Sequence, residues 1–123
     1  MAAWADVSVN ATDFPDEGFR NWIKSQPYGA DSLLTDAEIA GVTELQLYSN
    51  YFHSLKGIEF FTALTNLQCQ NSYYLNELDV SKNKALKNLS CYSCGMTSLN
   101  VSVCSALSIL SCGYNKLTSL DVT

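Results

Sequence analysis

Cysteine offers the most chemistry of any residue type in this chain, because it occurs five times among 123 residues. Thiolates bind zinc, and the spacing Cys91-x-x-Cys94 matches half of a zinc site. A second C-x-x-C or a pair of histidines would have to complete that site, and the sequence has neither. Three of the five cysteines also recur at one position of a repeat. This recurrence favours free thiols that pack as small hydrophobic side chains over a metal site.

His53 is the one histidine of the chain, and it directly follows Phe52 in a predicted turn. A lone histidine without a nucleophile or an acid beside it is most simply a surface residue. The outward-facing residues of the predicted strands contain no general acid–base pair, no Ser-His-Asp set and no metal cluster. The sequence therefore predicts a protein that is not an enzyme and that needs no cofactor.

The cysteines mark a repeat, because each one closes a segment of the form Leu-x-x-Leu-x-Cys that recurs after 22 and then 21 residues. A second apolar segment follows each copy, and the extra residue of the longer step lies within 71–74. The first segments are Leu64–Cys69, Leu86–Cys91 and Leu107–Cys112, and the second are Leu75–Val80, Met96–Val101 and Leu117–Val122. A period in the twenties with this pattern is typical of a leucine-rich repeat.

The spacing predicts short strands, because the last Leu and the Cys are two residues apart and so share one face of a strand. One such strand cannot bury its apolar face alone, whereas stacked parallel copies share a continuous core. Val42–Phe52 fits the same pattern as an earlier repeat, and Lys56–Phe61 after it suggests a small turn of helix. The Leu-x-Val segments predict a second, convex row of short parallel strands.

Two helices are predicted before the repeats. Asp13–Glu17 resembles a helix start with Pro15 in the first turn, and this helix should end near Ser25, before Pro27. A second helix should begin after Thr35, because Thr35 and Glu38 form a capping box, and it should stop at Gly41. Aromatic residues of the first helix could cover the open end of the stacked repeats.

The repeated segments resemble bacterial leucine-rich repeat proteins. The segment from Asp13 to Gly41 resembles the helical N-terminal cap of some of these proteins, which is related in shape to an EF-hand. The resemblance implies an α/β solenoid, a right-handed coil of about four repeats of 21–22 residues with parallel concave strands. We expect residues 1–41 to form an arm and a helix-loop-helix cap, and residues 42–123 to form the repeats, the last of them incomplete.

The EF-hand resemblance raises a calcium hypothesis that the sequence supports weakly. Asp31 and Glu38 match ligand positions of the predicted loop, but Pro27 stands where the first acidic ligand belongs. Two acidic residues make a poor calcium site. We therefore predict no functional metal site, and a calcium-responsive cap with the repeats as a scaffold is the alternative function.

The predicted binding surface is the concave sheet, because the resemblance implies recognition or adhesion of a protein partner through it. The outward residues are polar and almost uncharged, which suits adaptable recognition. Tyr73 and Tyr74 lie at the extra residue and are expected to bulge outward as a second contact point. The concave candidates are Glu44, Gln46, Tyr48, Asn66, Gln68, Gln70, Asn88, Ser90, Tyr92, Ile109 and Ser111.

Charge and hydropathy exclude two classes of partner. The net charge of −5 disfavours nucleic acid and anionic membranes, and no apolar run is long enough to enter a bilayer as a span. By resemblance the protein is secreted or bound to a bacterial cell surface. The chain ends at Thr123 inside a repeat, so we expect either that the natural protein continues with more repeats or that the edge at the C-terminal end self-associates.

Overall fold

Parallel strands stacked in one sheet organise the chain. A computed structural model describes residues 6–47 and 52–122. Its largest sheet has four strands in the order β3-β4-β5-β7, every neighbouring pair parallel. Each strand lies one repeat after its neighbour, so the chain is the leucine-rich repeat solenoid that the periodicity predicts. The elements are β1 (Val7–Ser8), α1 (Glu17–Lys24), β2 (Leu33–Leu34), α2 (Asp36–Gly41), β3 (Glu44–Gln46), β4 (Asn66–Gln68), β5 (Asn88–Ser90), β6 (Ser98–Asn100), β7 (Ile109–Ser111) and β8 (Ser119–Asp121).

The core follows the predicted register. Leu45, Leu67, Leu89 and Leu110 are paired across the four strands. The first three are buried and Leu110, in the outermost strand, is partly buried. The side chains between these leucines and the following core residue point to the other face, because successive side chains of a strand alternate. Cys69 and Cys91 continue the buried column, and Cys112 is partly buried at its end.

Aromatic residues of the N-terminal segment cover the first layer of that core. Phe14 and Phe19 are fully buried and meet edge to face with ring centroids 5.9 Å apart. Phe19 packs on Phe52 at 6.0 Å and Phe14 on Phe60 at 5.7 Å. The predicted covering role of these aromatic residues is confirmed by contacts with the first repeat. The strand β1 pairs antiparallel with β2, which ties the N-terminal arm to the segment before α2.

The second helix matches its prediction and the first differs at its start. Thr35 and Glu38 form the expected capping box, and α2 ends at Gly41. Asp16 caps α1, so Pro15 lies before the helix and the prediction that it occupies the first turn is wrong. A side chain that accepts a hydrogen bond from a free amide at the start of a helix fixes where the helix begins, and only Asp16 accepts one from Phe19. The predicted small helical turn is present at Ile58–Phe60.

The convex row of strands forms in part. β6 and β8 pair in parallel, as predicted for two of the three Leu-x-Val segments. The third, Leu75–Val80, is not a strand. Within the described residues its backbone hydrogen bonds to the next segment stop after Gly95 N donates to Leu75 O at 2.9 Å. We attribute the difference to the extra residue of this repeat, which lies directly before Leu75.

Asp16 joins the N-terminal helix to the first repeat, and we expect its loss to weaken both. Its Oδ1 accepts from Phe19 N at 2.8 Å, and its Oδ2 accepts from His53 N at 2.7 Å and Ser54 N at 3.2 Å. Asp16→Ala should lower the free energy of unfolding by about 1–3 kcal/mol, because a helix cap and charge-assisted hydrogen bonds are lost together. Urea unfolding followed by circular dichroism measures this change.

Asp6→Ala is the matched control for that substitution, because it removes an exposed carboxylate of the same charge. We expect a change of less than about 0.5 kcal/mol. Equal changes for the two variants would contradict the role of Asp16 as the link between helix and repeat.

Candidate functional site

The outward residues of the concave sheet lie in two rows across its four strands. Parallel pairing at equal register sets side chains of the same repeat position side by side. One row contains Glu44, Asn66, Asn88 and Ile109, and the other contains Gln46, Gln68, Ser90 and Ser111. The structure therefore brings together the concave candidates predicted from the sequence on these strands. Tyr48 lies outside the described residues.

The concave rows carry little charge. Glu44 is the one acidic residue in the rows, and its carboxylate accepts a hydrogen bond from the Gln46 side-chain amide. Ile109 is exposed to solvent although it is apolar. Asn66 Oδ1 on β4 and Gln70 Oε1 in the turn after it are buried and have no hydrogen-bond partner in the protein. Burying an unpaired acceptor costs free energy, so these two oxygens lower the stability of this part of the sheet.

Exposed tyrosines line the turns that follow the concave strands. Tyr73 and Tyr74 project into solvent at the extra residue, as predicted. Tyr92 directly follows Cys91 and is also exposed, and its ring meets that of Tyr114 at a centroid distance of 5.1 Å. Reasoning from the sequence missed Tyr114, although a signal existed. It occupies the repeat position of Asn71 and Ser93, and a tyrosine there departs from the small polar residues of the other repeats.

The cysteines serve the core and the turns. All five are free thiols, and Cys69, Cys91, Cys94 and Cys104 are buried. The Cys94 thiol donates to Cys69 O at 3.1 Å, in the repeat position where the Asn115 amide donates to Cys91 O at 2.8 Å. The Cys94 side chain therefore closes its turn with the same hydrogen bond that Asn115 makes, and the two residues occupy the same repeat position.

Two of the buried thiols, Cys69 and Cys91, are poorly suited to chemistry at neutral pH, whereas the hydrogen bond with Cys69 lowers the pKa of Cys94. Burial raises the pKa of Cys91 to about 12. The hydrogen bond with Cys94, together with burial, raises the pKa of Cys69 well above its usual value. Because the thiolate is the reactive and metal-binding form, these two thiols are weak nucleophiles and weak metal ligands. Within residues 6–47 and 52–122, no three His, Cys, Asp or Glu side chains are grouped to hold a metal ion.

His53 is mostly exposed but has neighbours. Its imidazole stacks on Tyr74 with ring centroids 5.1 Å apart and planes at 17°. Its Nδ1 lies 3.9 Å from Asp16 Oδ2. These contacts place it between the N-terminal segment and the extra-residue turn. The prediction that His53 is a surface residue is confirmed, although it does have partners.

The two weak calcium candidates are engaged in local structure. Asp31 Oδ1 accepts from Leu33 N at 3.1 Å, and Glu38 Oε1 accepts from Thr35 N at 2.9 Å within the capping box. Each carboxylate thus stabilises a turn or a helix start of its own segment.

Two solved structures with the same fold come from Listeria monocytogenes. The functional domain of InlJ from Listeria monocytogenes, which includes a cysteine ladder, matches with a TM-score of 0.83 and 31% identity over 98% of this chain. An internalin, InlF, from the same organism matches with a TM-score of 0.75 and 20% identity over 96% of this chain. This chain spans 27% and 39% of the lengths of those two chains. No protein-family model and no curated protein matches the sequence.

These likenesses agree with the geometry derived from the residues. The four-stranded parallel sheet, its register and its column of buried cysteines all follow from the 21–22-residue period. The described part of the chain contains no helix of the length and apolarity needed to cross a membrane. The fold of this chain is a leucine-rich repeat solenoid, similar to that of internalins of Listeria monocytogenes.

Proposed function

We propose that this chain is a protein-recognition or adhesion module of a secreted or surface-bound bacterial protein, and that it binds its ligand through the concave sheet. In this proposal residues 1–41 serve as the helical cap and residues 42–123 as the repeats. The likeness to internalin domains supports an interaction module rather than an enzyme. The outward rows on four parallel strands carry the proposal, because they form one continuous surface of amide, hydroxyl and apolar groups.

The chemistry of that surface fits a protein partner. Amide side chains and tyrosines both donate and accept hydrogen bonds while offering apolar area. Glu44 is the one acidic residue in the two rows, so binding should depend weakly on salt.

Ser90→Arg tests the concave surface. Ser90 lies on β5 in the middle of the sheet, so a long charged side chain there should block a partner by bulk and by loss of hydration. The wild-type chain first captures a partner from a mixture of extracellular and membrane proteins, and the purified partner is then titrated against each variant. We expect affinity to fall by about tenfold or more, which corresponds to about 1.4 kcal/mol.

Ser98→Arg is the control, because Ser98 is exposed on β6 in the convex row. This substitution adds the same charge as Ser90→Arg. It should change affinity by less than about twofold, as surface substitutions away from a contact do. Equal losses in both variants, or no loss in Ser90→Arg, would count against the concave sheet as the binding surface.

We also propose that the C-terminal edge associates with a second copy of the chain. Leu120 and Val122 are exposed and Leu107 and Leu110 are only partly buried, whereas Leu99 at the position of Leu120 is buried. The outer strands β7 and β8 each have one partner in their sheets. An exposed apolar layer beside open strand edges favours edge-to-edge pairing. Light scattering at increasing concentration should report a rising mass for this 123-residue species, and a constant monomeric mass would refute the proposal.

The calcium-responsive cap stays a prediction as the alternative function. The carboxylates of Asp31 and Glu38 both accept backbone hydrogen bonds. Calcium would have to compete with these backbone hydrogen bonds for the two carboxylates. The structure gives no reason to favour calcium binding over the hydrogen bonds.

A further inference from the structure

Tyrosine is concentrated in the turns after the concave strands. We define the tyrosine edge as Tyr73, Tyr74, Tyr92 and Tyr114, whose exposed fractions are 60%, 56%, 38% and 78%. Of the five tyrosines in the described residues, all but Tyr28 lie in turns of this kind; Tyr48 and Tyr51 lie outside the described residues. The clustering places exposed aromatic area beside the end of the concave rows.

Two rings of this edge form a corner. The planes of Tyr92 and Tyr114 meet at 76° with their centroids 5.1 Å apart. Gly113 lies between them along the chain, and a Cβ built on it would only touch the Tyr92 ring, at 3.7 Å. A bulkier side chain at this position would fill the corner, so glycine keeps the faces of both rings accessible.

Tyr114 has a left-handed backbone conformation, which is strained for a bulky residue. Its φ is 53°, and the equivalent residues Asn71 and Ser93 have φ values of 63° and 58°. The left-handed conformation is tolerated by small polar residues and is unusual for a bulky one. The Tyr114 ring packs on Tyr92 but is 78% exposed, so burial in the core does not explain an aromatic residue at this position. Backbone strain of this kind is concentrated at binding and catalytic sites.

The tyrosine edge is also free of charge. No Asp, Glu, Lys or Arg occurs in the segments 65–76, 88–115, which include all four tyrosines and the strands before them. A charged ligand would give up hydration here without gaining an opposite charge. The edge therefore complements an uncharged partner that presents apolar rings together with hydrogen-bond acceptors.

We infer that the tyrosine edge docks an uncharged proline-rich segment of the partner in the polyproline II conformation. This conformation has no internal hydrogen bonds, so its carbonyls are free to accept from tyrosine hydroxyls. Its rigid pyrrolidine rings lose little conformational entropy on docking to aromatic side chains. The inference rests on the proposed function, because it takes the partner to be a protein.

The ring geometry favours proline over a neutral sugar. A pyrrolidine ring packs into a corner and contacts both walls, whereas a flat sugar ring stacks best on a single open aromatic face. Tyr92 and Tyr114 stand nearly perpendicular, so neither offers a broad open platform. Tyr74, the ring that does lie parallel to a neighbour, is stacked on His53.

The test is an NMR titration of the full 123-residue chain with a neutral peptide of repeated Ala-Pro-Pro units. A Gly-Ser peptide of equal length is the control ligand. We expect saturable shifts at Tyr92 and Tyr114 with the proline-rich peptide alone. Tyr114→Gly should weaken binding by about tenfold or more, which is typical when an aromatic contact at the centre of an interface is removed.

Tyr114→Gly also distinguishes a loss of binding from a loss of folding. Glycine adopts the left-handed conformation without strain, so the thermal midpoint should stay at or above that of the wild type. Val103→Ala is the matched control, because Val103 is exposed and lies outside the tyrosine edge, and it should leave the binding unchanged.

The inference is overturned if the proline-rich peptide causes no shifts at millimolar concentration, or if Tyr114→Gly binds it as well as the wild type. Shifts at the same tyrosines with cellohexaose but not with the peptide would also overturn it, in favour of a neutral sugar. If Ser90→Arg no longer binds the captured partner but Tyr114→Gly still binds it, the proposed function is supported and this inference is wrong. Retention of the partner by both variants would remove both.

Discussion

Replacing Leu89 by alanine is expected to lower the free energy of unfolding by about 2–5 kcal/mol, because the substitution leaves a cavity in the middle of the stack. Leu89 is 1% exposed, and its strand pairs with β4 on one side and β7 on the other. The surrounding side chains cannot close the gap without shifting neighbouring repeats. Urea denaturation monitored by circular dichroism measures the loss.

Ser90→Ala in the next position provides the comparison. Ser90 points to the concave face, and its backbone carbonyl, which the substitution keeps, is the group that accepts from Cys69 N at 2.8 Å. The expected change is below about 0.5 kcal/mol. If the two substitutions had similar effects, the assignment of Leu89 to the core face and Ser90 to the concave face would be wrong.

Gly57→Ala is expected to destabilise the protein by about 3 kcal/mol or more, because a positive φ and a steric overlap act together. Gly57 has a φ of +111°, and a Cβ built on it would lie 2.1 Å from Phe14 Cδ1. The Phe14 ring is fully buried and packed against Phe19 and Phe60, so it cannot simply turn aside. Thermal and urea unfolding should both show the loss.

Gly41→Ala separates these effects from the general cost of replacing glycine. A Cβ at Gly41 would meet no atom within 4 Å, and the residue ends α2 without a positive φ. Alanine there should leave stability unchanged or raise it by up to about 1 kcal/mol, since it restricts the unfolded chain. A comparable loss at Gly41 would mean that the contact with Phe14 is not the cause.

The sequence alone predicts the effect of replacing Leu89 but not the effect of replacing Gly57. The effect at Leu89 follows from the repeat, because alternation along a strand and stacking at a fixed period decide which residues are buried. The contact between Gly57 and Phe14 joins segments 43 residues apart that belong to no common repeat. Its strength depends on how the N-terminal aromatic residues sit on the first repeat, which is a property of packing.

The same division applies to the candidate site. The two concave rows and the outward position of Tyr73 and Tyr74 could be predicted, since each follows from counting residues within a repeat. The corner between Tyr92 and Tyr114 could not, because ring orientation and the left-handed backbone at Tyr114 are set by neighbouring turns.

Residue patterns predict the solenoid, the strand register, the buried column and the capping box of α2, because each depends on local periodicity or on residues a few positions apart. The same patterns do not predict that Asp16 starts α1 and joins it to His53, or that Leu75–Val80 stays out of the convex sheet. These outcomes depend on distances between segments far apart in the chain. A pattern of residue types specifies which face is buried, but it does not specify those distances.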